Sequence, residues 1–386
     1  MIARRRVKFF IIFVLALVIM LLPAAAYSER DSDDDLSPQV INGRKYKIGY
    51  IESDEFVNYP PSFYYILKGL EDIRWLKGID GVPYEEGQLD TKTMWDYLST
   101  NDVSDYLEFV PDFHYSLAYI DDEQKEQLVS RLSSNEVDLV IVLGTDAGNM
   151  IADTAHSVNS MIFSVTDAVL AGISETYEYS NKENIWAHTD PARFERQLRV
   201  FYDIFNFKKL GIVMEDSDIA RAFTPVNNIN DLSEEYGFET VIKYVDMPKD
   251  SSDIDRYKEE LARAYDEISD EIDAFYITVA EINAEWLKEL LEPFYEKRVP
   301  VFSQLGGQEV AKGALMSINV TSFEEIGQFG AVRIAQVLKG EKPGNLVQEF
   351  VSTPRIDINL GVADRINYPV SFDLLLVADK IYLEIE

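Results

Sequence analysis

Six short polar clusters stand directly behind apolar runs, and they are the groups of this chain best placed to do chemistry. They are Glu52-Ser53, Thr145-Asp146, Ser164 with Thr166 and Asp167, Glu215-Asp216-Ser217, Thr278 with Glu281, and Ser303-Gln304. Hydroxyls, carboxylates and an amide at such places hold a small polar ligand by hydrogen bonds and charge. Ser, Thr and Asp also cap helices routinely, so capping and ligand contact both stay open for each residue taken singly. As a set converging on one cleft, some of them should touch a ligand.

Covalent and metal chemistry finds little support. The chain has no G-x-G-x-x-G, no Walker A loop, no G-x-S-x-G elbow and no H-E-x-x-H. Its histidines are only His114, His156 and His188, without metal-ligand spacing, and each reads most simply as a surface or satisfied core residue. A Ser-His-Asp triad is not excluded by counting, and carboxylate pairs for glycoside chemistry can be picked anywhere, so neither carries a signal. Gly306-Gly307 is a loop or helix start, weak evidence of phosphate binding. Cysteine is absent, which excludes disulfides, thiol catalysis and zinc-thiolate sites. The reading is a binding protein rather than an enzyme, with no cofactor and no metal.

The elements that must position these clusters are strands. The run Leu139–Leu143 is wholly apolar and stops at Gly144, the pattern of a strand buried on both faces. Thr145 or Asp146 can cap the helix that follows, whose free N–H groups point back at the strand end. The rest of the chain repeats strand, polar turn and helix. A first set has strands near 45–51, 106–120, 137–143 and 161–164, with a helix after Pro60-Pro61 and one from Asp121. A second set has strands near 184–187, 209–214, 238–245, 272–277, 299–303 and 313–318. Its helices start at Asp190-Pro191, end at Tyr236 before Gly237, and span 253–270 and 283–297. Thr321-Ser-Phe-Glu324 is a capping-box pattern opening a helix to Leu338. Strand-like pieces lie around 347–360 and 370–377. Residues 80–105 break the rhythm and read as an insertion with a short helix at Trp95. Strands alternating with helices mean parallel sheets covered on both faces. Two such sets, dividing near residue 170, mean two similar α/β lobes joined by a few crossings, with strand carboxyl ends facing a ligand cleft.

Composition bounds the partners. Formal net charge is -32, which argues against nucleic acid and anionic lipid. Arg4, Arg5, Arg6 and Lys8 precede the apolar stretch Phe9–Leu22, and Ala24-Ala25-Ala26 follows, the pattern of a secretory signal peptide over residues 1–26. An uncleaved membrane anchor is the alternative, although the stretch is short of the about 20 residues a spanning helix needs. Residues 27–44 read as a disordered acidic leader.

Several stretches, in order, give this sequence its resemblance to the substrate-binding components of ABC importers, in the branch that includes aromatic amino acid binders. Asp138-Leu-Val-Ile-Val-Leu-Gly-Thr-Asp-Ala147 resembles that family's strand followed by Gly-Thr-Pro-Ala. Ile162-Phe-Ser-Val-Thr-Asp-Ala-Val169 with Ala171-Gly172 resembles its Val-Thr-Asp-Pro-Val and following Gly. Val299-Pro-Val-Phe-Ser303, Lys312-Gly-Ala-Leu315, Gly327, Leu338-Lys-Gly-Glu-Lys-Pro343 and Asn359-Leu360 resemble its later strands, helix and exit. The resemblance implies a type I periplasmic binding fold: two doubly wound parallel-sheet lobes, a multi-crossing hinge, and closure around a small ligand. It implies that the helix from Thr321 returns to the first lobe, giving 45–168 plus about 305–340 and 169–304 plus about 341–386. It also implies that Thr145, Ser164, Thr166 and Asp167 lie on the first lobe's cleft motifs, and Glu215 to Ser217 and Thr278 to Glu281 on the second's. The family's proline is Asp146 here, and the acids Glu52, Asp146, Asp167, Glu215 and Asp216 favour a ligand with an amine. Phe56, Tyr59 or Tyr64 could stack on an aromatic ligand or be core. The expected protein is an exported, monomeric solute-binding protein that delivers its ligand to an ABC importer permease. A ligand-sensing partner of a membrane sensor kinase, or a carboxylate-based hydrolase, are the alternatives.

Overall fold

The structure is a computed structural model and describes residues 35–386 apart from 218–219, 221–223, 249–250, 279–283, 320–321 and 352. Two compact units divide the chain at Asp190/Pro191, Thr321/Ser322 and Thr353/Pro354.

The first unit holds a five-stranded sheet of order β2-β1-β3-β4-β5, all parallel. Its strands are β1 (Tyr46–Glu52), β2 (Leu107–Ser116), β3 (Leu139–Leu143), β4 (Asn159–Phe163) and β5 (Ile185–Ala187). Every residue of β3 is buried, as an apolar run at the centre of a doubly covered sheet must be. The strand at 185–187 belongs here rather than to the second set, because Ser160, Met161 and Ile162 pair with Ile185, Trp186 and Ala187. The division therefore falls at residue 190, not near 170.

Helix α1 (Tyr59–Asp72) opens on Pro60 and Pro61, whose missing N–H groups cost nothing in a first turn. It buries Phe63, Ile66, Leu67 and Leu70 at helical spacing, each worth about 1.5–3 kcal/mol. The returning helix Phe323–Leu338 lies against it at close range, through Gly69 and Gly327. A Cβ on Gly327 would come within 2.5 Å of the Tyr65 carbonyl oxygen. The cap of this helix is Ser322, which accepts from the Glu325 amide at 3.3 Å. That is one residue beyond the expected Thr321, which lies outside the described residues. Helix α2 (Lys92–Thr100) of the insertion buries Met94, Trp95 and Leu98. Trp95 meets Phe109 edge-on, and its Nε1 donates to the Val110 carbonyl at 3.1 Å. Helices α3 (Asp122–Ser133) and α4 (Thr145–Asp153) complete the cover. Asp121 caps α3 in a full capping box with Gln124.

Ordered structure starts before Lys45. Leu36 and Ile41 pack on the first unit's core, Asp35 pairs with Lys339 at 3.0 Å, and Ile41 bridges Arg44. The apolar side chains in this leader bind it down.

The second unit holds a seven-stranded sheet of order β12-β11-β10-β9-β8-β6-β7. These are β6 (Lys209–Glu215), β7 (Glu239–Val245), β8 (Ala274–Ile277), β9 (Val301–Ser303), β10 (Met316–Asn319), β11 (Arg355–Asn359) and β12 (Lys380–Tyr382). All pairs are parallel except β10 with β11. Helix α5 (Arg193–Phe205) begins two residues after Pro191, and α6 (Val226–Tyr236) ends at Gly237 in the left-handed conformation, φ 75°. Helix α7 (Ile254–Ser269) follows β7. The expected helix 283–297 is split into α8 (Leu287–Leu290) and α9 (Glu292–Lys297), with Pro293 in the first turn of α9, where it can start a helix but not continue one. Helix α10 (Gly307–Ala311) follows β9. The piece at 372–377 is a short helix capped by Ser371, not a strand.

Candidate ligand-binding site

In the first unit the carboxyl ends of β1, β3 and β4 carry the predicted residues, and the structure sorts them. Ser53 is structural: its hydroxyl accepts from the Ala147 amide at 3.0 Å, so it caps α4 from a neighbouring strand. The expected cap residues are freed by this. Gly144 occupies the cap position at φ 96°, Thr145 and Asp146 are the first helical residues, and among the described residues no partner takes their amides or the Thr145 hydroxyl. Thr145 is half-buried and Asp146 exposed. Tyr59 crowds the same turn, since a Cβ on Gly144 would meet its hydroxyl at 2.0 Å. Ser164 has φ 54°, a left-handed backbone unusual for a residue with a side chain. Ser62 spends its proton on the Asn58 carbonyl at 2.6 Å, so the 2.9 Å contact makes Ser164 the donor to Ser62. Thr166 is half-buried beside it. Asp167 is occupied: one oxygen accepts from the Val169 and Leu170 amides, the other from the Tyr177 hydroxyl at 2.9 Å.

Glu52 lies in a buried polar chain that sequence reasoning missed. It is 2% exposed. Its Oε2 accepts from the Tyr50 hydroxyl at 2.7 Å and from the Thr91 hydroxyl at 2.8 Å. Thr91 precedes α2 and sits 2.9 Å from His114 Nε2; because its proton goes to Glu52, Nε2 must be the donor. His114 stacks on Tyr50 with centroids 4.8 Å apart. A bulge in β2 makes this possible, since the register jumps from Ile48↔Phe109 to Tyr50↔His114. Burial pushes the Glu52 carboxyl up to about 7, against the two hydroxyls that favour its charged form. Burial pushes His114 down to about 4. Only the alternation Tyr50, Glu52 along β1 could have hinted at a shared face; nothing in the sequence points to Thr91.

In the second unit most predicted residues build the strand ends. Glu215 is buried and accepts from the Tyr257 hydroxyl at 2.5 Å. The Ser217 hydroxyl accepts from the Ala220 amide at 3.0 Å. Thr278 donates to the Val213 carbonyl at 3.2 Å. Asp216 is exposed, and Glu281 lies outside the described residues. Gln304 follows β9, with its amide on the Ile277 carbonyl at 3.1 Å. Ser303 bonds Glu309 in the first turn of α10, whose carboxyl burial raises to about 7. Gln197 on α5, also missed, reaches the exits of β9 and β10 and the Tyr276 side chain of β8. Two concavities are also present, one of about 280 Å³ beside Tyr46, Asp138 and Asn159 and one of about 300 Å³ beside Phe207, Asp273 and Pro300. Both lie at the amino ends of strands, opposite the polar clusters. Among the described residues no group of acidic, histidine or cysteine side chains could hold a metal ion, and no helix is long and apolar enough to cross a membrane.

Two parallel-sheet units with polar groups at the strand ends, exchanging the chain three times, define a type I periplasmic-binding-protein-like fold. A family model described as ABC transporter substrate binding protein matches residues 96–381, and the chain belongs to this family. Its members bind small molecules and serve ABC transporters; they are binding proteins and not enzymes. Solved structures agree on the fold. A conserved domain protein from Vibrio cholerae O1 biovar El Tor strain N16961 is 18% identical, with TM-score 0.62 over 88% of this chain and 100% of its own. A ligand-free, open substrate-binding protein with adhesive properties from Clostridium difficile is 18% identical, with TM-score 0.62 over 88% and 100%. An ABC domain in complex with L-Trp from Streptococcus pneumonia is 19% identical, with TM-score 0.59 over 87% and 99%. No curated protein matches the chain.

Proposed function

We propose that this is an exported solute-binding protein that captures a small, amine-bearing, amino-acid-like ligand and delivers it to an ABC importer permease. The observation that carries this reading is the unfilled first turn of α4. Among the described residues, two amides and the Thr145 hydroxyl stand without partners at the end of a buried central strand. Such a turn favours an anionic group such as a carboxylate. Asp146 in the same turn and Asp216 in the second unit offer acid for an ammonium group. Thr145, Asp146, Ser164, Thr166, Asp216 and Gln304 are the direct contacts in this reading. Ser53, Asp167, Glu215, Ser217 and Thr278 hold them in place, and Glu52 acts from behind them. The L-Trp-bound relative makes L-tryptophan the first probe. The basic and apolar N-terminal stretch supports export.

The test is native mass spectrometry of protein purified without refolding, followed by calorimetric titration with L-tryptophan, the other amino acids and simple polyamines. A bound small amine, or a saturable titration abolished by removing either the amine or the carboxylate of the ligand, supports the reading. A clean apo mass together with no titrating compound refutes it.

A further inference from the structure

Gln197 reaches the exits of two strands of the second unit and a side chain of a third. It lies in the second turn of α5 and is 2% exposed. Its Nε2 donates to the Gln304 carbonyl at 3.2 Å and to the Ile318 carbonyl at 2.7 Å. Its Oε1 accepts from the Tyr276 hydroxyl at 3.0 Å. Tyr276 is on β8, two residues before Thr278; Gln304 is the first residue after β9; Ile318 is the penultimate residue of β10. Both amide protons are therefore spent on backbone carbonyls at the carboxyl ends of β9 and β10, and the carbonyl oxygen on a side chain of β8.

Those exits are where the sheet stops supplying its own hydrogen bonds. Past the last ladder pair a strand-end carbonyl loses its backbone partner, and a buried one needs a substitute. Gln197 supplies it twice. Its position in the chain also matters. Pro191, where the chain enters this unit, is six residues earlier. Ile318 is three residues before the chain leaves at Thr321. Ile318 is paired across the antiparallel ladder with Ile356, two residues after the chain re-enters at Pro354. One planar amide thus joins the helix of the first passage and the strand of the second to the backbone at Gln304, and the strand of the third lies beside Ile318 in the sheet.

We propose that Gln197 is the positioning residue for the second unit's ligand groups, holding the β9 and β10 exits as one rigid body although it touches no ligand itself. This rests on the binding reading above. Methionine has the same reach and apolar volume but no donor, and glutamate keeps the shape and the Tyr276 partner while replacing two donors by acceptors. Tyr276→Phe removes only the third bond and leaves both carbonyl contacts.

The experiment is amide hydrogen exchange by mass spectrometry on the full chain, wild type beside Gln197→Met, Gln197→Glu and Tyr276→Phe, with L-tryptophan titrated into each. Either Gln197 variant is expected to speed exchange at least tenfold in peptides covering 301–311 and 314–319. Exchange over β6 and β7 stays unchanged, and affinity for L-tryptophan falls at least tenfold. Tyr276→Phe leaves exchange in those peptides and affinity near wild type. Should methionine fail to fold, glutamate decides. Unchanged exchange at 301–311 in a folded Gln197 variant overturns the proposal, as does equal acceleration in Tyr276→Phe or a uniform rise across the unit, the mark of plain destabilisation. A wild type that ignores L-tryptophan counts against that ligand, while the exchange pattern still decides for or against Gln197.

Discussion

Replacing Glu52 by Gln should remove one of two opposed pH dependences from the first unit. In the folded protein the Glu52 carboxyl holds its proton to about pH 7, against 4.5 when unfolded. The folded state therefore binds more protons than the unfolded one between those values. Stability from this group is full below 4.5 and drains away as pH rises toward 7, at about 1.4 kcal/mol per pH unit. The whole loss is about 3 kcal/mol. His114 runs the other way. Its folded value of about 4 lies below the unfolded 6.5, so its contribution is full above 6.5 and is lost as pH falls toward 4, by a similar amount. Between 4.5 and 6.5 the two slopes cancel, and wild type shows a plateau from this pair. Glu52→Gln keeps an acceptor for Tyr50 and Thr91 but cannot titrate. Urea unfolding followed by tryptophan fluorescence at half-unit steps from about pH 4 to 8 measures the difference, with every other titrating group cancelling between the two proteins. The variant should gain on wild type by about 3 kcal/mol between pH 4.5 and 7 and hold that gain above. A difference that stays flat with pH would refute the reasoning.

Thr145→Val should weaken capture of the ligand about tenfold, the worth of roughly one hydrogen bond, while leaving the ligand-free melting temperature within a degree or so. Calorimetry and a thermal melt read the two. Trp95→Ala removes a fully buried ring of the insertion and should cost about 3–5 kcal/mol, read by urea denaturation. Gly327→Ala forces a methyl against the Tyr65 backbone between two helices and should cost about 1–3 kcal/mol in the same assay. Gln328→Ala, at the exposed neighbouring position of the same helix, should change stability by less than about 0.5 kcal/mol.

Elements whose pattern is local were legible in the sequence. The five apolar residues of β3, the helix start at Asp121 and the Gly237 stop each announce themselves within one window. So does the placing of polar clusters behind strands. What escaped depends on partners far along the chain. Whether Ile185–Ala187 joins the first sheet or the second is decided by β4, which its own three residues do not reveal. Ser53 caps a helix 94 positions away, so Thr145 and Asp146 were free to be something other than caps. Thr91 reaches Glu52 only because Trp95 anchors α2 on the bulged strand. Gln197 looks like any polar residue of an amphipathic helix until β9 and β10 are in place.

The close pairing of Gly69 with Ala331 has a consequence in time. These residues are 262 positions apart, and a ribosome adding about 5–20 residues per second needs roughly 13–50 s to pass from one to the other. Through that interval α1 exists without the helix that covers it, and the aromatic core around Tyr46 and Trp186 has no lid. The first unit cannot finish folding as it emerges; it must wait for residues near the far end of the chain. A nascent protein held open in this way remains threadable, as the export proposed above requires.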